Sequence, residues 1–408
     1  MLKKIIPLAL LVLCTKNFAQ TISVKDVKKN IAFLANDILK GRGTATADET
    51  LAANYIAATF KSLKLTPKGN NGFIYDFTFK TPATPHDTVG IGEEKKSKDV
   101  VAFLNNKAKY TIVIGAHYDH LGLGLDHNSL DANPEGKIHN GADDNASGTA
   151  GVIELARYFA TNKKKEKYNF LFICFSGEEL GLIGSKKWCD KPTLSLDSIN
   201  YMINMDMIGR LNDSTNKIII YGVGTSPTWV PLIDKMKSPL SVKKDSSGIG
   251  PSDQTSFYLK NLPVLHFFTG QHSDYHKPSD DAEKINYEGE KKVLEYIVKL
   301  IEETEAMPKL TFSKTKSPDT KSTGFKVTMG VMPDYVFEGK GMRIDGVSDN
   351  KPAFKAGLKQ GDVVIKLGDD DVDSVQTYMK ALSKFKKGDN TKVKVMRGKE
   401  ELEMSITF

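Results

Sequence analysis

Gly141-Ala142-Asp143-Asp144-Asn145-Ala146-Ser147-Gly148 sets two adjacent acids among glycines and small residues, just ahead of apolar positions at helical spacing over 149–159. Small side chains let backbone approach backbone, so a carboxylate here can be held at an enclosed point. An acid at a helix start is also favoured by the helix dipole. An N-cap with ordinary turn residues would look the same. The neighbours separate the two readings: His117 and Asp119 lie upstream, Glu178 and Glu179 downstream, and Asp206 and His276 follow.

Working outward, residues 110–115 are nearly continuous in apolar side chains and end in Ala116-His117-Tyr118-Asp119-His120. Residues 170–175 repeat the pattern and end in Ser176-Gly177-Glu178-Glu179; residues 199–205 end at Asp206, and residues 262–268 precede Tyr275-His276. Such runs predict strands covered on both faces. Between them, 3.6-residue spacing predicts helices over 23–40, 48–63, 149–160, 180–188 and 285–307. Residues 73–79 alternate like an edge strand, residues 100–104 and 217–222 add strands, and polar residues 81–98 read as a loop. Strands alternating with helices predict an α/β fold, a mostly parallel mixed sheet flanked by helices. Open α/β sheets place their sites beyond the carboxyl ends of the strands, where these polar residues fall.

The 408 residues are enough for two domains, and 40% hydrophobic with 26% charged residues suits a globular core. Met1-Leu2-Lys3-Lys4, the apolar residues 5–13 and Asn17-Phe18-Ala19 predict a secretory signal over residues 1–19, hence export to a periplasmic or extracellular space. Cys14 offers a lipoprotein alternative, against which stands the large Leu13 before it. The apolar run is too short to span a membrane, and no other stretch is long enough. Without the leader, basic residues exceed acidic ones by four, and the lysines are scattered or in short runs such as Lys163-Lys164-Lys165. That gives no argument for nucleic acid as a partner. Cys174 and Cys189 remain; an oxidising compartment permits a disulfide, but Cys174 in a buried strand serves equally as a small apolar residue.

Residues 308–323 are rich in Pro, Ser, Thr and Lys and read as a linker between a first domain over 20–307 and a second over 324–408. The second has short strands and glycine turns.

His and carboxylate donors without a thiolate suit zinc. A carboxylate can bridge two metals, and metals about 3.5–4 Å apart can share one water. Two Zn²⁺ are balanced by Asp144, Glu179, Asp206 and one hydroxide, which leaves Glu178 free to move a proton.

The set His117-x-Asp119, Gly-Ala-Asp-Asp-Asn-x-Ser-Gly, Gly-Glu-Glu-x-Gly-Leu-x-Gly-Ser, Asn-Met-Asp206-Met-Ile-Gly and Tyr275-His276 resembles the zinc-dependent M28 metallopeptidases of the aminopeptidase Y and aminopeptidase S type. The resemblance covers about residues 25–307. It implies one metal on His117, Asp144 and Asp206, and a second on Asp144, Glu179 and His276, with cobalt or manganese as alternatives to zinc. It further implies Glu178 as general acid/base, Asp119 holding the other nitrogen of His117, and a cis peptide after Asp144. Tyr275 is either a donor to the tetrahedral oxyanion or a packing aromatic for His276. The implied activity is aminopeptidase action on peptide substrates. The alternatives are another reaction of the same family (carboxypeptidase or glutaminyl cyclase) and a non-catalytic protein working through its second domain.

That second domain resembles a bacterial PDZ domain on Pro352-Ala353 through Ala356-Gly357-Leu358 and Gly361-Asp362-Val363-Val364. The resemblance implies either binding of a peptide or protein C-terminus, with 330–335 as the carboxylate loop, or a docking role. Elsewhere, His120, His127 and His139 read as loop histidines, His266 as a satisfied core residue, and His272 as a neighbour of the site. Arg210 reads as the partner of an internal acid, and Asp253 as a residue of the pocket wall.

Overall fold

The structure, a computed structural model, describes residues 20–82, 90–126, 128–315, 327–333, 337, 339–347 and 351–408. The leader with Cys14, His127, Asp334, Tyr335 and much of the expected linker lie outside them. The first domain contains strands β1 (Thr66–Pro67), β2 (Ile74–Pro82), β3 (Gly90–Leu104), β4 (Tyr110–His117), β5 (Tyr168–Phe175), β6 (Ile199–Met205), β7 (Lys217–Tyr221), β8 (Ser241–Lys244) and β9 (Val264–Phe268). Its helices are α1 (Val24–Leu34), α2 (Ala47–Ser62), α3 (Gly148–Thr161), α4 (Ile183–Asp190), α5 (Trp229–Lys235), α6 (Gln254–Tyr258) and α7 (Tyr287–Thr304).

One sheet runs in the order β1-β3-β5-β4-β6-β9-β7-β8, with β2 paired to β3. Its centre, β5-β4-β6-β9, is parallel, while β3 and β7 join it antiparallel. The central strands are apolar throughout because both faces are covered, and alternate residues serve opposite layers. Ile112 and Ile114 of β4 point into a core with Ile31, Phe60, Leu155, Trp229 and Ile297 from the helices. Val113, between them, joins Trp188 of α4 and Phe257 of α6.

Local signals set the helix starts. The side chains of Ser23, Thr46 and Asn286 accept backbone N–H bonds at the entries to α1, α2 and α7. The first helix stops at Leu34, short of the expected 40, because Asn36 caps a tight turn over Asp37–Arg42 whose Lys40 and Gly41 have positive φ.

Residues 90–98, expected in a loop, form the first part of β3. They pair with β2 in the register Phe77↔Ser97 and Phe79↔Lys95. Lys95 and Lys96 are exposed, so the strand here carries charge where a core strand would carry apolar residues.

The second domain contains β10 (Val331–Pro333), β11 (Met342–Val347), α8 (Pro352–Ala356), β12 (Val363–Leu367), β13 (Asp370–Asp371), α9 (Val375–Leu382), β14 (Asn390–Arg397) and β15 (Glu400–Thr407). It has its own core, including Met342, Ile344, Val364, Tyr378, Leu382 and Val395. The start of the expected linker lies on the first domain: Leu310 N donates to Asn200 Oδ1 at 2.8 Å and Ser313 N to the Thr225 carbonyl at 2.8 Å. Among the described residues no helix is long and apolar enough to cross a membrane.

Candidate active site

His117 is the last residue of β4, Glu178 and Glu179 follow β5, Asp206 follows β6, and Asp144 lies in the turn that enters α3. His276 lies in the segment between β9 and α7. Parallel neighbours end at the same edge, so these side chains converge. The Asp144–Asn145 peptide is cis.

His117 Nδ1 lies 3.1 Å from the Asp119 carbonyl. Donation there leaves the lone pair on Nε2, which is buried without a hydrogen-bond partner. That atom lies 3.4 Å from Asp144 Oδ1 and 3.4 Å from Asp206 Oδ1. His276 is arranged alike: Nδ1 lies 2.8 Å from the Asn128 carbonyl, and Nε2 lies 3.2 Å from both Asp144 Oδ2 and Glu179 Oε2. Asp144 thus offers one oxygen to each histidine group. An imidazole lone pair aimed among carboxylates fits a cation and wastes a hydrogen-bonding atom otherwise.

The Glu178 carboxylate lies 3.9 Å from His117 Nε2. Burial holds its pKa well above the usual carboxylate range; His117 opposes this, and Asp206 and Glu179 add to it. The Asp119 carboxylate, expected on His117 Nδ1, lies 3.7 Å from it. It instead accepts from Thr44 Oγ1 at 2.7 Å and Glu178 N at 3.3 Å, because the main-chain carbonyl already serves the ring. Tyr275 stacks on His276 at 3.9 Å between ring centroids and lines the cavity beside the ligand cluster.

The profile of peptidase family M28 matches residues 99–301, and that of the PDZ domain matches residues 312–408. The chain carries a peptidase family M28 domain. Aminopeptidase YwaD of Bacillus subtilis is 26% identical over 220 residues, 51% of this chain and 42% of that protein. The chain therefore spans about two fifths of that relative's length. The zinc aminopeptidase BSAP of Bacillus subtilis superposes with a TM-score of 0.54 at 17% identity, covering 75% of this chain and 98% of that one. The glutaminyl cyclase of Porphyromonas gingivalis superposes with a TM-score of 0.55 at 17% identity, covering 70% and 100%. At such identities the structural likeness speaks for the fold alone.

Several side chains that sequence reasoning set aside or did not single out support the M28 site. His120, expected to be a loop histidine, is buried, and its Nδ1 lies 2.7 Å from Glu179 Oε1. The opposite oxygen of Glu179 faces His276, so His120 orients the carboxylate. Its only sequence signal is its place in the strand-end run His117-Tyr118-Asp119-His120. His120→Ala is expected to weaken zinc binding about 10–100-fold, read by competition with a chromogenic chelator; a change under about threefold would remove the role. Asp280 accepts from the backbone N–H groups of Asp143 and Asp144 at 2.9 and 3.0 Å, fixing the turn that presents Asp144. Arg42, fully buried, donates to the carbonyls of Leu34, Tyr118, Asn140 and Gly141.

The remaining candidates scatter. Arg210 pairs with Asp274 at 3.2 Å, the internal acid expected of it. His272 Nε2 lies 3.1 Å from Asp143 Oδ2, and His139 bonds Ser129 Oγ at 2.7 Å within its loop. Asp253 is fully buried and does not line the cavity; Pro251, two residues earlier, does. His266 is buried and hydrogen-bonded, as expected, and also lines the cavity. Cys174 and Cys189 are both buried and unpaired.

Proposed function

We propose that the chain is an exported zinc-dependent aminopeptidase. The observation that carries this reading is the placing of one Asp144 oxygen toward each of two histidines whose outer nitrogens are already engaged. His117, Asp144 and Asp206 would hold one Zn²⁺, and Asp144, Glu179 and His276 a second. Bound there, zinc would polarise the scissile carbonyl and acidify water. Glu178 takes the water's proton and returns it to the leaving amine. Tyr275, on the cavity wall beside His276, would donate to the developing oxyanion. The basic and apolar leader over residues 1–19 supports action outside the cytoplasm, and the PDZ domain would add a site for peptide chains.

The test offers unblocked and N-acetylated peptides to zinc-loaded protein. Stepwise release of N-terminal residues, lost with chelator and restored by zinc, is the expected result. Cleavage of the acetylated peptides at equal rate, or a pyroglutamyl product from an N-terminal glutamine, would overturn it.

A further inference from the structure

The cavity lined by Asp144, Glu178, Glu179, Asp206 and His276 is also lined by Tyr221, His266 and Phe268. His266 and Phe268 share one face of β9, and His266 pairs across the sheet with Tyr221 of β7. Their rings form a stack: His266 lies 5.4 Å from Tyr221 with planes 29° apart, and 6.1 Å from Phe268 at 19°. An apolar wall of this kind needs no imidazole, yet this one is clamped in place. Asn204, fully buried, points its Nδ2 at His266 Nδ1 at 3.2 Å. The same amide reaches Ser252 Oγ at 2.8 Å and Gln254 Oε1 at 3.3 Å.

Donation into Nδ1 puts the ring proton on Nε2. Burial holds the pKa of His266 down at about 4, with Asp206 opposing and His117 adding. The ring is therefore a neutral donor at ordinary pH. Gln271 lines the same cavity, and its Oε1 is buried without a hydrogen-bond partner. The cavity therefore offers a neutral N–H donor and an unsatisfied amide oxygen.

Resting on the aminopeptidase reading above, we propose that this pocket receives the N-terminal side chain of the substrate and selects a carboxamide, that of glutamine or asparagine. His266 Nε2–H donates to the side-chain amide oxygen, and the side-chain NH₂ donates to Gln271 Oε1. A hydrocarbon of equal length leaves both protein groups unpaired, which a site built for hydrogen bonding penalises. An acidic side chain finds no counter-ion on the stacked wall.

The test compares kcat/KM of zinc-loaded protein for aminoacyl-4-nitroanilides of Gln, Asn, Met, Leu, Glu and Lys. Methionine serves as the near-isostere of glutamine. Wild type should favour Gln over Met about tenfold. His266→Phe keeps a ring in the stack and deletes the donor, so the Gln/Met ratio should fall to about one. Gln271→Leu should lower the same ratio independently. Zinc-dependent release with Met equal to or above Gln in wild type, or a Gln/Met ratio unchanged in both variants, overturns the pocket assignment and leaves the aminopeptidase reading standing. No release from any unblocked substrate removes both.

Discussion

Glu178→Gln is expected to lower kcat about 10²–10⁴-fold while zinc content and melting temperature stay at wild-type values. The scale is that of a positioned general base. The amide keeps the shape of the carboxylate but has no basic oxygen, so it can neither take the water's proton nor return one to the amine. The side chain lies 3.9 Å from His117 Nε2 and is assigned to neither set of ligands, so its loss should leave the metals in place. A plot of log kcat/KM against pH should lose its acidic limb in the variant. Retention of more than about a tenth of wild-type kcat would remove Glu178 from the chemistry.

Asp144→Asn should have the opposite signature: activity falls by about 10³-fold or more, and zinc content falls with it. One oxygen of Asp144 faces His117 and the other faces His276. Among the described residues no other carboxylate stands toward both, so one substitution weakens both halves of the site. Asparagine keeps the volume, and Asp280 still accepts the two backbone N–H groups of the turn, so the fold should survive. Elemental analysis decides the matter: a variant that keeps its full zinc content excludes the bridging role. The pair of substitutions separates holding the metal from moving the proton.

The strand ends were legible in the sequence because both faces of the central sheet are covered. Uninterrupted apolar runs mark β4, β5, β6 and β9, and the polar residues that break them must lie at the carboxyl edge. His120 was not legible, since a histidine after an acid in a glycine-rich region looks like a turn residue until Glu179, 59 positions away, is folded against it. The place of His266 on the cavity wall was hidden for a related reason. Its strand is apolar on both sides, and only the pairing with β7 shows that its face opens on a cavity. The charged part of β3 defeated the apolar pattern because Lys95 and Lys96 lie in water. The short helices α5 and α6 exist through packing: Trp229 and Phe257 are completely buried, and neither helix has a side-chain cap.

The contacts of Arg42 bear on where this domain begins. The match to the family profile starts at residue 99, yet one guanidinium ties the carbonyl of Leu34 to those of Tyr118, Asn140 and Gly141. The cooperative unit therefore reaches back to α1, whose Val27 and Ile31 are fully enclosed. A fragment trimmed to the recognisable stretch would keep every ligand and lose the brace that sets their spacing. The edge of the family profile and the edge of the packed unit differ here by some seventy residues.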